Sequence, residues 1–96
     1  MALAEQIEKD YIQAYKSKNE DLTSLLRLLK SAIQNQKIAR KGELSDPDII
    51  KLIQKEVKQR QASAEEFKKG GRADLVEKDT KEIEMLKKYL PEEMSN

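Results

Sequence analysis

The sequence has no cysteine and no histidine. Without cysteine there are no disulfides and no thiolate metal sites. Without histidine the commonest general base and the commonest transition-metal ligand are missing. Aromatic residues make up 4% of the chain, so large stacked surfaces are not expected. Proline occurs twice and glycine three times, so breaks between elements are few and easy to place. No apolar run is long enough to span a membrane, and the start of the chain lacks a signal-peptide apolar core. The expectation is a soluble, cytoplasmic protein with no membrane contact.

What is present is charge and helix-forming residues. Of the 96 residues 39% are charged, yet 19 basic side chains nearly balance 18 acidic ones, leaving a net charge of +1. Disorder usually shows high net charge and weak periodicity; neither holds here. A chain of this length buries roughly 60–65% of its unfolded surface. The core is therefore thin, and a large internal active-site cavity is not expected.

The breakers divide the chain. Gly42 and Pro47 fall together, Gly70 and Gly71 form a pair, and Pro91 stands near the end. The segments between are rich in Leu, Ala, Glu, Lys and Gln, and none alternates with period two. The fold class is all-α, an irregular array of about four longer helices. The first should cover 3–18, with Leu3, Ile7, Tyr11, Ala14 and Tyr15 on one face. Asn19 or Asp21 then caps a second helix over 21–41. Its apolar stripe is wide: Leu22, Leu25, Leu26, Leu28, Leu29, Ala32 and Ile33. Gly42 is placed as the left-handed residue that ends it.

The third helix has the strongest start signal. Ser45 or Asp46 caps it, Pro47 takes the first turn, and Asp48 complements the helix dipole. The fourth should run over 73–90 until Pro91 stops it. Favourably ordered i,i+4 ion pairs are offered by Glu5–Lys9, Glu56–Arg60, Glu77–Lys81 and Glu84–Lys88.

Helices three and four should form a long antiparallel hairpin, because facing positions have a nearly constant sum. Phe67 falls opposite Leu75, Ala64 opposite Val76, Val57 opposite Ile83, Ile53 opposite Leu86, and Ile50 opposite Leu90. One rung is charged: Arg60 falls opposite Asp79. These two are expected to meet as a structural ion pair that fixes register; the alternative is that both snorkel to solvent.

No catalytic constellation emerges. The hydroxyls of Ser17, Thr23, Ser24, Ser31, Ser45, Ser63, Thr80 and Ser95 have no histidine to activate them, and the Ser–Lys motifs are missing. Asp46 and Asp48 lack the rest of a calcium loop. Gly70-Gly71 lacks the pattern of a phosphate loop. No cofactor and no metal site is expected.

Charge is distributed unevenly. Residues 22–42 hold five bases, Arg27, Lys30, Lys37, Arg40 and Lys41, and no acid. Residues 73–96 hold seven acids against four bases. A basic stripe suits nucleic-acid phosphates. The near-neutral total favours instead a solvated face paired with acidic neighbours. No aromatic residue lies in the basic segment, so base stacking is not indicated. Arg72, beside Gly70-Gly71 at the hairpin tip, offers a small anion site with free backbone N–H groups. A tight reversal that needs positive φ is the better explanation of the glycines, and the two readings are compatible.

The stretch Glu65-Glu66-Phe67-Lys68-Lys69-Gly70-Gly71-Arg72 carries a more specific signal. With Asp74-Leu75, Glu82-Ile83, Leu86 and Tyr89-Leu90-Pro91-Glu92, it resembles the GatB/YqeY family, in particular its YqeY-like proteins. So do Leu26-Arg27-Leu28-Leu29-Lys30-Ser31-Ala32-Ile33, Gly42-Glu43-Leu44-Ser45-Asp46 and Gln54-Lys55-Glu56-Val57-Lys58-Gln59-Arg60. The resemblance implies a two-part helical module. Residues 1–90 correspond to its first subdomain, and 91–96 to the start of a linker. The second subdomain, associated with tRNA, is expected beyond it. The family is related to the tail of the B subunit of the tRNA-dependent amidotransferase, and so to carbon–nitrogen ligase chemistry with glutamine as amido donor. The catalytic parts of that enzyme match nothing here. The implied role is a non-catalytic accessory element whose partner is tRNA or a tRNA-processing enzyme. Arg27, Lys30, Lys37, Arg40, Lys41 and Arg72 are the candidate contacts. The alternative is a scaffold that docks a helical protein partner.

Overall fold

The computed structural model describes residues 3–92 and forms four helices: α1 (Leu3–Lys16), α2 (Glu20–Arg40), α3 (Asp46–Lys69) and α4 (Ala73–Lys87). No strand occurs among the described residues. The expected linker lies outside them beyond Glu92.

The first three helices end in the same way. In each, one N–H reaches back five residues and the preceding N–H reaches back three. The donors and acceptors are Asn19 to Ala14 with Lys18 to Tyr15, Gly42 to Lys37 with Lys41 to Ile38, and Arg72 to Phe67 with Gly71 to Lys68. This is the Schellman pattern, which needs a left-handed residue just past the helix. Gly71 supplies it after α3 at φ 73°. After α1 and α2 the left-handed residues are Lys18 and Lys41, each at φ 60°. The expectation for Gly42 is thus off by one position. Gly42 follows the left-handed residue and gives its N–H to Lys37.

The helix starts match the sequence reading more closely. The Asn19 side chain accepts from Leu22 N at 3.2 Å, which breaks α1 from α2. At α3, Ser45 Oγ accepts from Asp48 N at 3.3 Å, and Asp48 Oδ2 accepts from Ser45 N at 3.0 Å. This reciprocal box uses Asp where Glu or Gln is usual. α4 stops at Lys87, three residues short of the expected end. The last turn before Pro91 tightens into bonds from Tyr89 to Leu86 and from Leu90 to Lys87. A residue preceding proline is disfavoured in the α region, so the helix gives way early.

The chain divides within α3 into two units, Met1–Leu52 and Ile53–Asn96. In the first, α1 packs on α2. Leu3, Ile7, Ala14, Leu25, Leu26, Leu29, Ile33 and Ile49 are buried. Each large one contributes roughly 1.5–3 kcal/mol by leaving water. Leu3 N also donates to Asp46 Oδ1 at 2.9 Å, which ties the start of α1 to the start of α3. Two members of the expected stripes lie outside this core: Tyr15 is 65% exposed and Leu28 is 48% exposed.

In the second unit the remainder of α3 and α4 make the hairpin. Ile53, Val57, Leu86 and Leu90 are buried, while Ala64, Phe67, Leu75 and Val76 toward the tip are half-buried. The expected Arg60–Asp79 pair is replaced. Arg60 Nη1 meets Glu56 Oε1 at 2.7 Å, and Arg60 Nε meets Glu82 Oε1 at 2.8 Å. Burial acts to lower the Arg60 pKa, but the bonds to both carboxylates raise it on balance. Asp79 stays buried, and its Oδ2 has no hydrogen-bond partner. The long guanidinium stem carries its head past the Asp79 rung to carboxylates that are less buried. Of the sequence's i,i+4 pairs, Glu56–Arg60 forms at 2.7 Å and Glu77–Lys81 at 3.4 Å.

Candidate nucleic-acid interface

The basic stripe of α2 separates into two parts. Arg27 and Lys30 are three residues apart, so they share one face of the helix. That face meets α1, which runs antiparallel beyond the Lys18 turn. Arg27 Nη2 donates to the Tyr11 hydroxyl at 3.3 Å, and its guanidinium carbon lies 5.8 Å from the Tyr11 ring centre. Lys30 Nζ lies 4.2 Å from the same ring centre and 2.6 Å from Glu8 Oε2. One tyrosine thus holds two cations, and each exposed cation–π contact is worth roughly 0.5–1 kcal/mol. Tyr15, one turn further along α1, places its ring 6.4 Å from that of Tyr11, tilted by 35°.

The other part of the stripe serves the corner between α2 and α3. Lys37 Nζ pairs with Glu43 at 3.0 Å. Arg40 pairs with Asp48. Bonds from Ser45 N and Ser45 Oγ, then the contact with Arg40, hold the Asp48 carboxyl at a pKa of about 2. Lys41 is exposed and carries the left-handed turn. Arg72 belongs to the second unit and pairs with Asp74 at 3.3 Å. Its hydrogen bond holds the Asp74 carboxyl below the usual range. No side chain caps α4 at Arg72.

Several of the proposed contacts are therefore neutralised by carboxylates from α1, from the α2–α3 loop and from the first turn of α3. Arg27 differs, because its described contacts are a phenol and a ring. The tyrosines lie outside the basic segment 22–42 and are not evident from it, because Tyr11 is sixteen positions from Arg27. The detectable signal was the break at Asn19. Reflecting α1 about that turn sets Tyr11 opposite Arg27 and Glu8 opposite Lys30.

A cleft of about 500 Å³ lies beside this cluster, lined by Tyr15, Lys18, Glu20, Thr23, Ser24 and Arg27. Among the described residues, no group of three or more His, Cys, Asp or Glu side chains is placed to hold a metal ion. No described helix is long and apolar enough to cross a membrane.

Comparison with known proteins decides the lineage. The sequence profile of the YqeY-like protein family matches residues 4–96. The chain belongs to that family. It is 33% identical over 90 residues to an uncharacterized protein of Schizosaccharomyces pombe, covering 94% of this chain and 73% of the relative. It is 38% identical over 85 residues to the altered inheritance of mitochondria protein 41, mitochondrial, of Lachancea thermotolerans, covering 88% of this chain and 46% of the relative. The protein of that name from Pyrenophora tritici-repentis is 34% identical over 83 residues, covering 86% of this chain and 46% of the relative. The chain thus spans about half the length of these mitochondrial relatives. Their names overturn the cytoplasmic expectation for this YqeY-like chain. That expectation rested on the lack of a spanning run and a secretory apolar core, and neither feature separates cytosol from mitochondrial interior.

Proposed function

We propose that this YqeY-like chain is a non-catalytic, tRNA-associated helical element. It would accompany carbon–nitrogen ligase chemistry that draws its nitrogen from glutamine. The mitochondrion named in the relatives is the compartment in which we expect it to act. The observation that carries the RNA reading is the exposed Arg27, which has no carboxylate among its described contacts and lies over the Tyr11 ring, with the exposed Tyr15 ring one turn away. Such a surface attracts phosphates and accepts bases. A titration of the chain against tRNA at low and moderate salt tests it. Binding should be measurable at low salt and fall steeply as salt rises. No binding at low salt would remove this chain as an RNA contact.

A second reading is a scaffold for a helical protein. It is favoured by Leu28 and Ile38 on α2, which are 48% and 64% exposed, and by the pairing of Lys37 and Arg40 with carboxylates. Capture of a partner in the absence of RNA, unchanged by charge reversal at Lys37 and Arg40, would support it.

A further inference from the structure

The cleft beside the tyrosines has an unusual combination of walls for so charged a surface. Tyr15 is 65% exposed, although it shares the helical face of the buried Ile7 and Ala14. Its ring is an open aromatic surface. Arg27 lines the same cleft, and its described contacts leave it without a carboxylate. Lys18 lines it too, from a left-handed backbone position that a lysine adopts at a cost. Ser24 and Thr23 bring hydroxyls, and Glu20 brings a carboxylate.

We propose that this cleft binds a nucleotide, with its base stacked on Tyr15 and its phosphate held by Arg27 and Lys18. Each wall answers one part of that ligand. A base presents a π-face that stacks on tyrosine whatever its sequence. A phosphate takes two donors from a guanidinium and a point charge from an ammonium. Glu20 accepts from ribose hydroxyls or base N–H groups and repels phosphate, so it sets which end of the nucleotide faces the cations. The volume of about 500 Å³ lies within the range of small-ligand sites, roughly 300–1,000 Å³. A mononucleotide and an unpaired nucleotide of a strand share this chemistry. Where the nucleotide belongs to a strand, the proposal rests on the RNA reading above.

The test uses the 96-residue chain, isotope-labelled for NMR, with two probes. One is a set of nucleoside monophosphates. The other is a short single-stranded RNA oligomer, with an RNA duplex as control. Four variants accompany them: Tyr15→Ala, Tyr15→Phe, Arg27→Gln and Lys18→Gly. Tyr15 and Arg27 are exposed, so the first three keep the fold, and circular dichroism verifies it. Resonances of Tyr15, Ser24 and Arg27 should move together on titration. Tyr15→Ala should weaken oligomer binding about tenfold, within the range for loss of one stacked base. Tyr15→Phe should bind within about twofold of the parent, because it keeps the ring. Lys18→Gly should raise the melting temperature yet weaken binding, two opposite effects that a purely structural lysine would not produce.

The outcomes separate the two proposals. Oligomer binding that exceeds duplex binding and depends on Tyr15 supports both. Mononucleotide binding at these resonances, with no gain from the strand, supports the cleft and overturns the RNA reading. Oligomer binding indifferent to Tyr15→Ala overturns the cleft and leaves the RNA reading standing. No shift with either probe at low salt overturns both.

Discussion

Arg60 Nε donates to Glu82 Oε1 at 2.8 Å, one helical turn beyond the Asp79 that the hairpin register sets opposite it. The same guanidinium holds Glu56 Oε1 at 2.7 Å and the Glu56 backbone carbonyl at 3.1 Å. One cation thus joins both arms of the hairpin and keeps two carboxylates apart. All three side chains are at most 20% exposed. Removing the cation leaves two partly buried acids facing each other. Arg60→Ala should therefore destabilise the chain by about 2–4 kcal/mol, near the value for breaking a buried pair. Arg60→Lys should recover little, because an ammonium cannot serve three acceptors in fork geometry. Urea unfolding of both variants checks the order.

Asp79 presents the opposite case. It is buried, and its Oδ2 has no hydrogen-bond partner. Burying a polar atom without a partner costs roughly 1–3 kcal/mol. Replacing it with an apolar side chain of similar reach removes that cost. Asp79→Leu should stabilise the chain by about 1–2 kcal/mol. A fall in stability would mean that the carboxylate contributes through its other oxygen. Thermal unfolding beside the parent chain decides.

The two left-handed lysines make a third case. A side chain at φ 60° brings Cβ too close to the following carbonyl, a strain of about 1–2 kcal/mol. Glycine avoids the clash but loses more backbone entropy on folding. A Cβ placed at Gly42 would meet nothing within 4 Å, so the turn after α2 is uncrowded and the relief of backbone strain at Lys41 dominates. Lys41→Gly should gain about 0.5–1 kcal/mol and raise the melting temperature by roughly 2–8 °C. The same change at Gly71 in reverse, Gly71→Lys, should lower it.

These residues show what the sequence makes legible. Helix number, starts and buried stripes follow from periodicity and caps, as Asn19 and Ser45 illustrate. The ion-pair partner of Arg60 does not, because a stem of several bonds reaches a turn in either direction and register alone sees only the facing rung. The Schellman residue at Lys41 was displaced from Gly42 because composition marks where glycine is available, whereas the last helical hydrogen bond decides which residue must turn. The aromatic half of the candidate interface was hidden for a third reason. Tyr11 and Tyr15 read as core on an amphipathic helix, and only the packing of α1 on α2 sets them beside Arg27 and Lys30.

The corner between α2 and α3 yields a prediction in pH. Asp48 is held at a pKa of about 2 against an ordinary 3.8, first by Ser45 N, then by Ser45 Oγ and Arg40. The folded state thus prefers the charged form. A carboxyl whose pKa is lowered on folding stabilises the fold fully above its unfolded value and loses that contribution as the pH falls toward its folded one. Asp48→Asn keeps the shape but removes the charge. At neutral pH the variant should be less stable than the parent, with a constant gap down to about pH 5. Between pH 3.8 and about 2 the gap should close, because the parent carboxyl is then protonated as well. Ser45→Ala removes the hydroxyl that both donates to and accepts from Asp48, and it should cost about 1 kcal/mol as the loss of an N-cap. Urea unfolding of the parent and Asp48→Asn across that range is the measurement. A gap that persists unchanged at pH 2 would show that shape, rather than charge, ties the corner together.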